Sequence, residues 1–568
     1  MVMPMASSDT TIIKTFFFLF AIFSLLGNYL NQSSPLDSSL KASKPLPVET
    51  IFKLPSPLPT WPPGEGFASG TIGLGGLEVC QISSFTKTWA THEGGPEDLG
   101  ATFFEPASLP DGFSMLGSYA QPNNRPLFGW VLAARDLTAG ALKQPVDYTL
   151  VWSSNSSKIK QDGNGYIWLP KPPDGYKAVG HLVTSSPEKP PLDKVRCVRS
   201  DFADVCETDG WIWGRDKFDV YGLQPSSRGI QAQGFSAGTF TAQTGSISCL
   251  KNAKGSSSSM PNLNQIRALI QAYSPWIYFH PDEQYLPSSV SWFLKNGALL
   301  YKKGEEFKPV SIDPLGSDLP LNGSSDGAYW LDLPADPAAK EQVKKGNLQD
   351  AGVYLHVKPM LGATFTDVAI WVFYPFNGAA KAKVKFINVS LGKIGEHVGD
   401  WEHVTLRVSN FDGELKSVYF SQHNGGMWLS ASELEFQGGN KPVTYAALHS
   451  HAICPRTGVV VLGNGGVGVR MEAGRGNLVM DTAARFVAVG AEQLGSAVVE
   501  PPWLNYAGEW GPKISYDIAE ETEKVEKLLP GLLKATLRKM ISSLPAEVLG
   551  EQGPTGPKWK DNWIGDER

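Results

Sequence analysis

Apolar positions along this chain change their spacing several times, and each change marks a segment. Residues 15–26 (TFFFLFAIFSLL) are continuously apolar behind Lys14, short for a bilayer-spanning helix, so residues 1–30 are read as a signal or single anchor. Residues 31–62 lose all periodicity. Pro47, Pro55, Pro57, Pro59, Pro62 and Pro63 forbid a helix there and predict an extended Pro/Ser-rich tether. From 63 to 250, short alternating runs such as 150–152, 166–169 and 238–242 are separated by Gly, Pro and Asp turns, the pattern of an all-β domain. Within it Pro110-Asp111-Gly112-Phe113 recurs as Pro173-Asp174-Gly175-Tyr176, and Ile167-Trp168 recurs as Ile212-Trp213. Such repetition predicts radially arranged sheets, a β-prism-like domain, although Pro-Asp-Gly is also a common turn in its own right.

Residues 251–262 have a linker composition. Beyond them Leu263, Ile266, Ile270 and Tyr273 fall on one helical face, and Ser274-Pro275 ends the helix. Strand-like runs at 369–374, 403–408, 417–421, 443–448 and 458–462 predict a β-sandwich over 263–568. Helices close the chain: Glu520/Lys524 and Glu523/Lys527 make i,i+4 pairs, and Leu533, Leu537, Met540 and Ile541 form a stripe expected to pack on the sheet. The expected fold is mainly β, an N-terminal β-prism-like domain plus a C-terminal β-sandwich decorated with helices.

Composition narrows the function classes. Of 568 residues, 42% are hydrophobic and 19% charged, which a folded core requires; the net charge of -6 and the absence of a Lys/Arg run argue against a nucleic-acid partner. Five scattered cysteines encode neither a zinc knuckle nor a disulfide scaffold. Cys197 and Cys206 are close enough in sequence to bridge in an oxidising compartment, but buried free thiols are the expected state. The glycosylation triplets at Asn155, Asn322 and Asn388 do not decide the compartment. If the apolar N-terminus acts as anchor or signal, the protein belongs to the membrane, endomembrane or secretory system, and otherwise to the cytoplasm.

Chemistry concentrates in the second half, where six of the nine histidines lie between His356 and His451. Asp400 and Glu402 are one residue apart, so on a strand both carboxylates face one side, and their repulsion calls for a cation or protons. Asn410-Phe411-Asp412-Gly413 predicts a hairpin turn pairing residues whose numbers sum to 823, which places His423 opposite Asp400. His397 sits in the preceding loop. The candidate ligand set for a divalent cation, with magnesium, manganese or calcium foremost, is thus His397, Asp400, Glu402 and His423. The plainer reading is a hydrogen-bonded cluster, with Glu402 paired to Arg407 or a Lys, Asp400 capping a turn and the histidines satisfied. His449 and His451 read more as surface residues of a loop ending at Pro455, and His403 as pointing away from Glu402. His280-Pro281-Asp282-Glu283 is read first as a turn, second as a source of acid/base groups.

The strings Leu54 through Pro62, Gly129 through Asp136, Phe279 through Glu283, His397 through Glu402 and Gly553 through Lys558 resemble the plant branch of the vacuolar protein sorting-associated protein 62 family, over about residues 51–568. That family carries a domain of unknown function, and its name implies trafficking. The His397-Val398-Gly399-Asp400-Trp401-Glu402 segment is also similar to the Gly-His-Arg-His-Asp-Trp-Glu signature of necrosis-inducing cytolysin-like proteins. That likeness implies a divalent cation in a β-sandwich, held by His397, Asp400 and Glu402. It adds Asn377, in Tyr374-Pro375-Phe376-Asn377, where the signature family has an Asp, while its second His is Gly399 here.

Two further motifs are set aside. Gly234-Phe235-Ser236-Ala237-Gly238 matches a nucleophile elbow, but a strand-like run follows where a helix is required. Gly463-Asn464-Gly465-Gly466-Val467-Gly468 matches a dinucleotide fingerprint without its helix. The sequence therefore points to a cation-containing binding module in membrane-associated recognition or vacuolar trafficking. The alternatives are a metal-dependent hydrolase using His280 or Glu283 as proton shuttle, and a binder of carbohydrate or membrane lipid headgroups.

Overall fold

Three consecutive stretches of the first half, 71–136, 142–199 and 203–251, each fold into two small antiparallel sheets with the same connectivity. In each, the first, fourth and sixth strands form one sheet and the second, third and fifth form the other; the first stretch adds the edge strand Thr71–Gly73. The computed structural model describes residues 45–242, 247–255, 257–321, 323–422, 425–513, 516–544 and 548–567, so the apolar run at 15–26 lies outside the described residues. Among the described residues no helix is long and apolar enough to cross a membrane. Strands dominate and helices are few, as expected for a mainly β protein.

The Pro-Asp-Gly repeat is structural. Phe113 N–H donates to Pro110 O at 3.0 Å and Tyr176 N–H to Pro173 O at 3.1 Å, and both turns lead into the fourth strand of their stretch. Gly112 and Gly175 hold φ of +79° and +80°, which explains the glycine at each. Ile167-Trp168 and Ile212-Trp213, by contrast, fall on a third and a second strand, so their likeness is accidental. The stretches converge where Gly117, Gly180 and Thr239 meet: a Cβ on Gly117 would stand 2.9 Å from Gly180 Cα and from Thr239 Cγ2. Trp89, Phe103, Trp213 and Phe240 build one core of this half, and Leu77, Leu132, Val198 and Leu250 build another. The disulfide is Cys206–Cys249, with Cα atoms 5.2 Å apart, not Cys197–Cys206; Cys80, Cys197 and Cys454 are buried free thiols. The fold decides this by pairing: the strand Cys249–Lys251 runs beside Ala203–Asp204, next to Cys206.

The second half is built on a six-stranded sheet, in the order Gly425–Ser430, Leu415–Gln422, His397–Ser409, Phe365–Asn377, Val353–Met360, Phe486–Ala488. All thirteen residues of Phe365–Asn377 are buried. One face sends Val368, Ile370, Val404 and Phe420 against the helix Leu263–Tyr273 and a second sheet containing Trp276–Phe279; the other sends Trp371, Phe373 and Trp401 against Phe293, Trp503 and Trp510. The helix forms where expected, and Asn262 and Gln265 exchange hydrogen bonds in a capping box at its start. At one end a four-stranded sheet, Ile387–Ser390, Lys381–Val384, Val467–Ala473 and Gly458–Asn464, buries Ala382 and Val384 against Leu533, Leu537 and Met540. The helix Ile518–Glu526 with its C-cap Lys527 carries the expected pairs Lys524–Glu520 and Lys527–Glu523, and the helix Gly531–Ile541 buries the expected stripe.

Residues 46–568 form one compact unit. The stretch 251–262, expected as a linker, is built into it: Asn252 Nδ2 donates to Gly362 O at 2.7 Å, Ser259 Oγ to Ala363 O at 2.6 Å, and Met260 is a core residue. Residues 46–62 of the expected tether are part of this unit, where Trp61 Nε1 donates to Asp412 O and Ser56 exchanges two hydrogen bonds with Asn440. Phe411, at the tip of the Asn410–Gly413 turn, enters the core of the first half.

The far end of the chain supplies a buried ionic lock that the sequence did not suggest. Glu567 and Lys358, both with side chains 0% exposed, lie 3.1 Å apart, and Glu567 also accepts from Thr405 and Asn562 and contacts His403 Nε2 at 3.1 Å. Asp566 bridges Arg407 of the sheet and Arg228 of the first half, while Arg407 forms a bidentate pair with Asp367 at 2.8 Å. Trp563 stacks on His356 with centroids 3.6 Å apart. Burial opposes charge on Glu567, yet His403, Lys358 and Asn562 hold its carboxyl far below the usual range. Its contribution is therefore complete above the ordinary Glu pKa of about 4.3 and fades as pH falls toward the folded value. Glu567→Ala, which strands buried Lys358, should cost about 3–5 kcal/mol in urea unfolding at pH 7, and the deficit should shrink as pH is lowered below about 4.

Candidate functional site

The strands Phe365–Asn377 and His397–Ser409 pair antiparallel, with Tyr374 opposite Asp400, Val372 opposite Glu402 and Asn377 opposite His397. Gly399 interrupts the extended backbone with φ +71°, and a Cβ there would lie 2.2 Å from Trp510 O. Glycine is thus demanded where the cytolysin-like signature has its second histidine. Asn377, His397, Asp400 and Glu402 line one cavity of about 920 Å³. Apolar Leu448, Leu462, Val467 and Met540 and basic Lys381, Arg470, Lys539 and Lys560 share its wall.

The Asn410–Gly413 hairpin forms where expected, but a bulge between Arg407 and Val408 moves the register from a sum of 823 at Val408/Leu415 to 824 from Arg407/Ser417 onward. The pairing that nominated His423 is therefore shifted by one, and His423 itself lies outside the described residues. Glu402 does not pair with Arg407, whose partners are Asp367 and Asp566; alternation puts the two on opposite faces. Glu402 Oε2 instead accepts from Ser421 Oγ. His403 points to the other face, toward Glu567, as expected.

The residue missed was His451. It is fully buried, its Nδ1 lies 2.8 Å from Asp400 Oδ2, its Nε2 lies 3.0 Å from Tyr285 O, and its ring stacks on Tyr374 at 3.8 Å. His449 and His451 both sit in the left-handed region, φ +68° and +54°, a backbone state kept only where the surroundings enforce it. Glu283 is part of that enforcement: Oε2 accepts from His449 N–H at 2.7 Å, and Oε1 accepts from the amides of Gln284 and Tyr285. Glu283 is thus a buried anchor of the site, while His280 Nδ1 accepts from Asp282 N–H within its turn. No spacing rule links His451 to Asp400 across 51 residues; the left-handed His449-Ser450-His451 turn is a tertiary product.

Burial works against the charge of Asp400, but the His451 hydrogen bond and the nearby His397 and Lys560 hold its carboxyl below the usual range. Tyr374 is pushed well up by burial and by the charges of Asp400, Glu402 and Glu283. Cys454 rises to about 11 through burial and Glu402. Asn377 Nδ2 donates to Gly378 O and Gly395 O, so its Oδ1 is the atom available to a ligand. Ser450 Oγ, in the cavity wall, is buried with no hydrogen-bond partner among the described residues. Among those residues no group of three or more His, Cys, Asp or Glu side chains is arranged to hold an ion. The two other motifs resolve as turns: Ser236 Oγ accepts from Gly238 N–H, and Gly465-Gly466, φ +63° and +75°, close a two-residue hairpin.

A mainly β protein with a ligand-sized cavity over an acidic strand is the class that fold and site define. The model of the family vacuolar protein sorting-associated protein 62 matches residues 48–567, and the chain belongs to that family. A relative of that name from Saccharomyces cerevisiae is 30% identical over 172 residues, 27% of this chain and 35% of the relative, so the match spans about a third of the relative's length. The crystal structure of GNIP1Aa from Chromobacterium piscinae is 22% identical, covering 34% of this chain and 40% of that one, with a TM-score of 0.26. Necrosis and Ethylene inducing Protein 2 from the causal agent of cocoa's Witches Broom disease is 15% identical over 39% and 82% of the two chains, with a TM-score of 0.15. At these TM-scores the structural likenesses carry no argument.

Because Gly399 sits against Trp510 O with positive φ, Gly399→Ala should lose more than about 2 kcal/mol of stability in chemical denaturation. Wild-type stability in that variant would mean the strand tolerates a side chain there.

Proposed function

We propose that this member of the vacuolar protein sorting-associated protein 62 family is a non-catalytic binding protein of the vacuolar trafficking system. Its cavity over Asp400 and Glu402 takes a small polar ligand together with a divalent cation. The observation that carries the reading is the pair of buried carboxylates side by side on the floor of a 920 Å³ cavity, Asp400 being held ionised. A cation relieves the repulsion of such a pair, and a polar ligand supplies the partner that Ser450 Oγ lacks within the described residues. His397 and Asn377 Oδ1 complete the ligand set in this reading. Placement in vacuolar sorting follows the family's name.

Binding is favoured over hydrolysis because both ring nitrogens of His451 are engaged, one by Asp400 and one by the Tyr285 carbonyl. Such a ring orients the carboxylate instead of shuttling protons. Glu283 is likewise tied to three backbone amides.

Titration of chelator-treated protein with magnesium, manganese or calcium should raise the thermal midpoint progressively with the logarithm of ion concentration above Kd, reaching about 2.7 kcal/mol of stabilisation at a hundredfold excess over Kd. Asp400→Asn should weaken the effective ion at least tenfold. If none of the three ions shifts the midpoint, the cation part of the proposal fails.

A further inference from the structure

The four-stranded sheet beside the cavity ends in two hairpin tips that lie side by side. One is the two-residue loop Lys385-Phe386 between Lys381–Val384 and Ile387–Ser390; the other is Gly465-Gly466 between Gly458–Asn464 and Val467–Ala473. Lys385 N–H donates to Gly466 O at 2.8 Å and Lys385 Nζ to Gly465 O at 2.9 Å, so the tips are tied together.

Two features of this edge are unusual for a hairpin tip. Phe386 stands at the extreme of its loop, 76% exposed, where a polar or glycine residue would stabilise the turn at no hydrophobic cost. Lys385 holds φ +61°, a left-handed conformation that a two-residue loop normally gives to glycine. Behind them the strand alternates Lys381, Ala382, Lys383, Val384, with Ala382 and Val384 buried against the terminal helix and the lysines kept on the opposite side. Val459 and Val460, on the edge strand of the same sheet, are each about half exposed. The elbow between the terminal helices, which packs on this sheet through Leu529 and Leu533, leaves Leu528 and Leu532 exposed as well.

An isolated exposed Phe is unremarkable, but one at a hairpin tip on a lysine-bearing strand has the amphipathic make-up of an interfacial anchor. The chain as a whole carries -6, so this concentration of lysines is local and is complementary to a negative surface. We propose that this edge docks onto anionic bilayers, Phe386 entering the headgroup layer while Lys383 and Lys385 meet lipid phosphates. The cavity lined by Lys381 and Lys385 then opens beside the membrane surface. The inference deepens the trafficking reading and rests on it for its cellular setting, but it does not depend on what the cavity holds.

The test is co-sedimentation of the full chain with phosphatidylcholine vesicles containing or lacking 30% phosphatidylserine, about a third being a customary anionic load, in EDTA throughout. With EDTA present, failure of cation binding and failure of docking are separate results. The wild type should pellet with the anionic vesicles and be released by raised salt. Phe386→Asp should lower the partition at least tenfold, and each of Lys383→Glu and Lys385→Glu roughly fivefold or more. Phe386→Trp should retain binding, and wild-type urea midpoints for the Asp and Glu variants exclude misfolding as the cause of the loss. Absence of wild-type binding to anionic vesicles overturns the proposal. So does binding that all variants share equally, as insertion of the apolar run at 15–26 alone would give.

Discussion

Everything in the second half depends on one antiparallel pair, Phe365–Asn377 with His397–Ser409, whose residues are almost all buried. A strand pair covered on both faces gives its polar side chains no water, so each must find a partner in the protein or in a ligand. The two faces meet this constraint differently. On one, Asp400 and Glu402 take His451 and Ser421 and border a cavity; on the other, His403, Thr405 and Arg407 take Glu567, Asp566 and Asp367.

These two solutions differ in how completely the polar groups are satisfied. The Glu567 lock is buried and its groups are paired within the protein: Lys358 alone has three acceptors from residues 562–567. Such a network leaves nothing for an outside molecule and, through Asp566 and Arg228, ties the sheet to the first half of the chain. The Asp400 face is less complete, with a roomy cavity and a buried hydroxyl on Ser450. The proposed binding site is built on this face because a rigid buried strand can hold polar groups in place for a ligand.

The first half shows how a fold repeats without a strong sequence repeat. Six strands recur three times with the same connectivity, yet only the Pro-Asp-Gly turns survive as a legible string, because a turn with positive φ restricts residue choice far more than a half-buried strand does. The third stretch reaches its fourth strand, Gly234–Phe235, without that string. The glycines Gly117 and Gly180 at the meeting point are conspicuous only once the three stretches are superposed around it.

Local rules read from the sequence reached the mainly β class, the helix at Leu263–Tyr273, the terminal helix pairs, the Asn410–Gly413 turn and the shared side of Asp400 and Glu402. Each depends on residues within a few positions of one another, where backbone period and turn chemistry act directly. Only the tertiary structure decided that Cys206 bridges Cys249, that residues 251–262 belong to the body, that a bulge shifts the hairpin register, and that His451 clamps Asp400 while Glu567 fills the opposite face. Those outcomes join residues 43, 51 and 164 positions apart. Pairings at such separations follow from which buried charges and cysteines the packed sheets bring together, and spacing along the chain carries no trace of that choice.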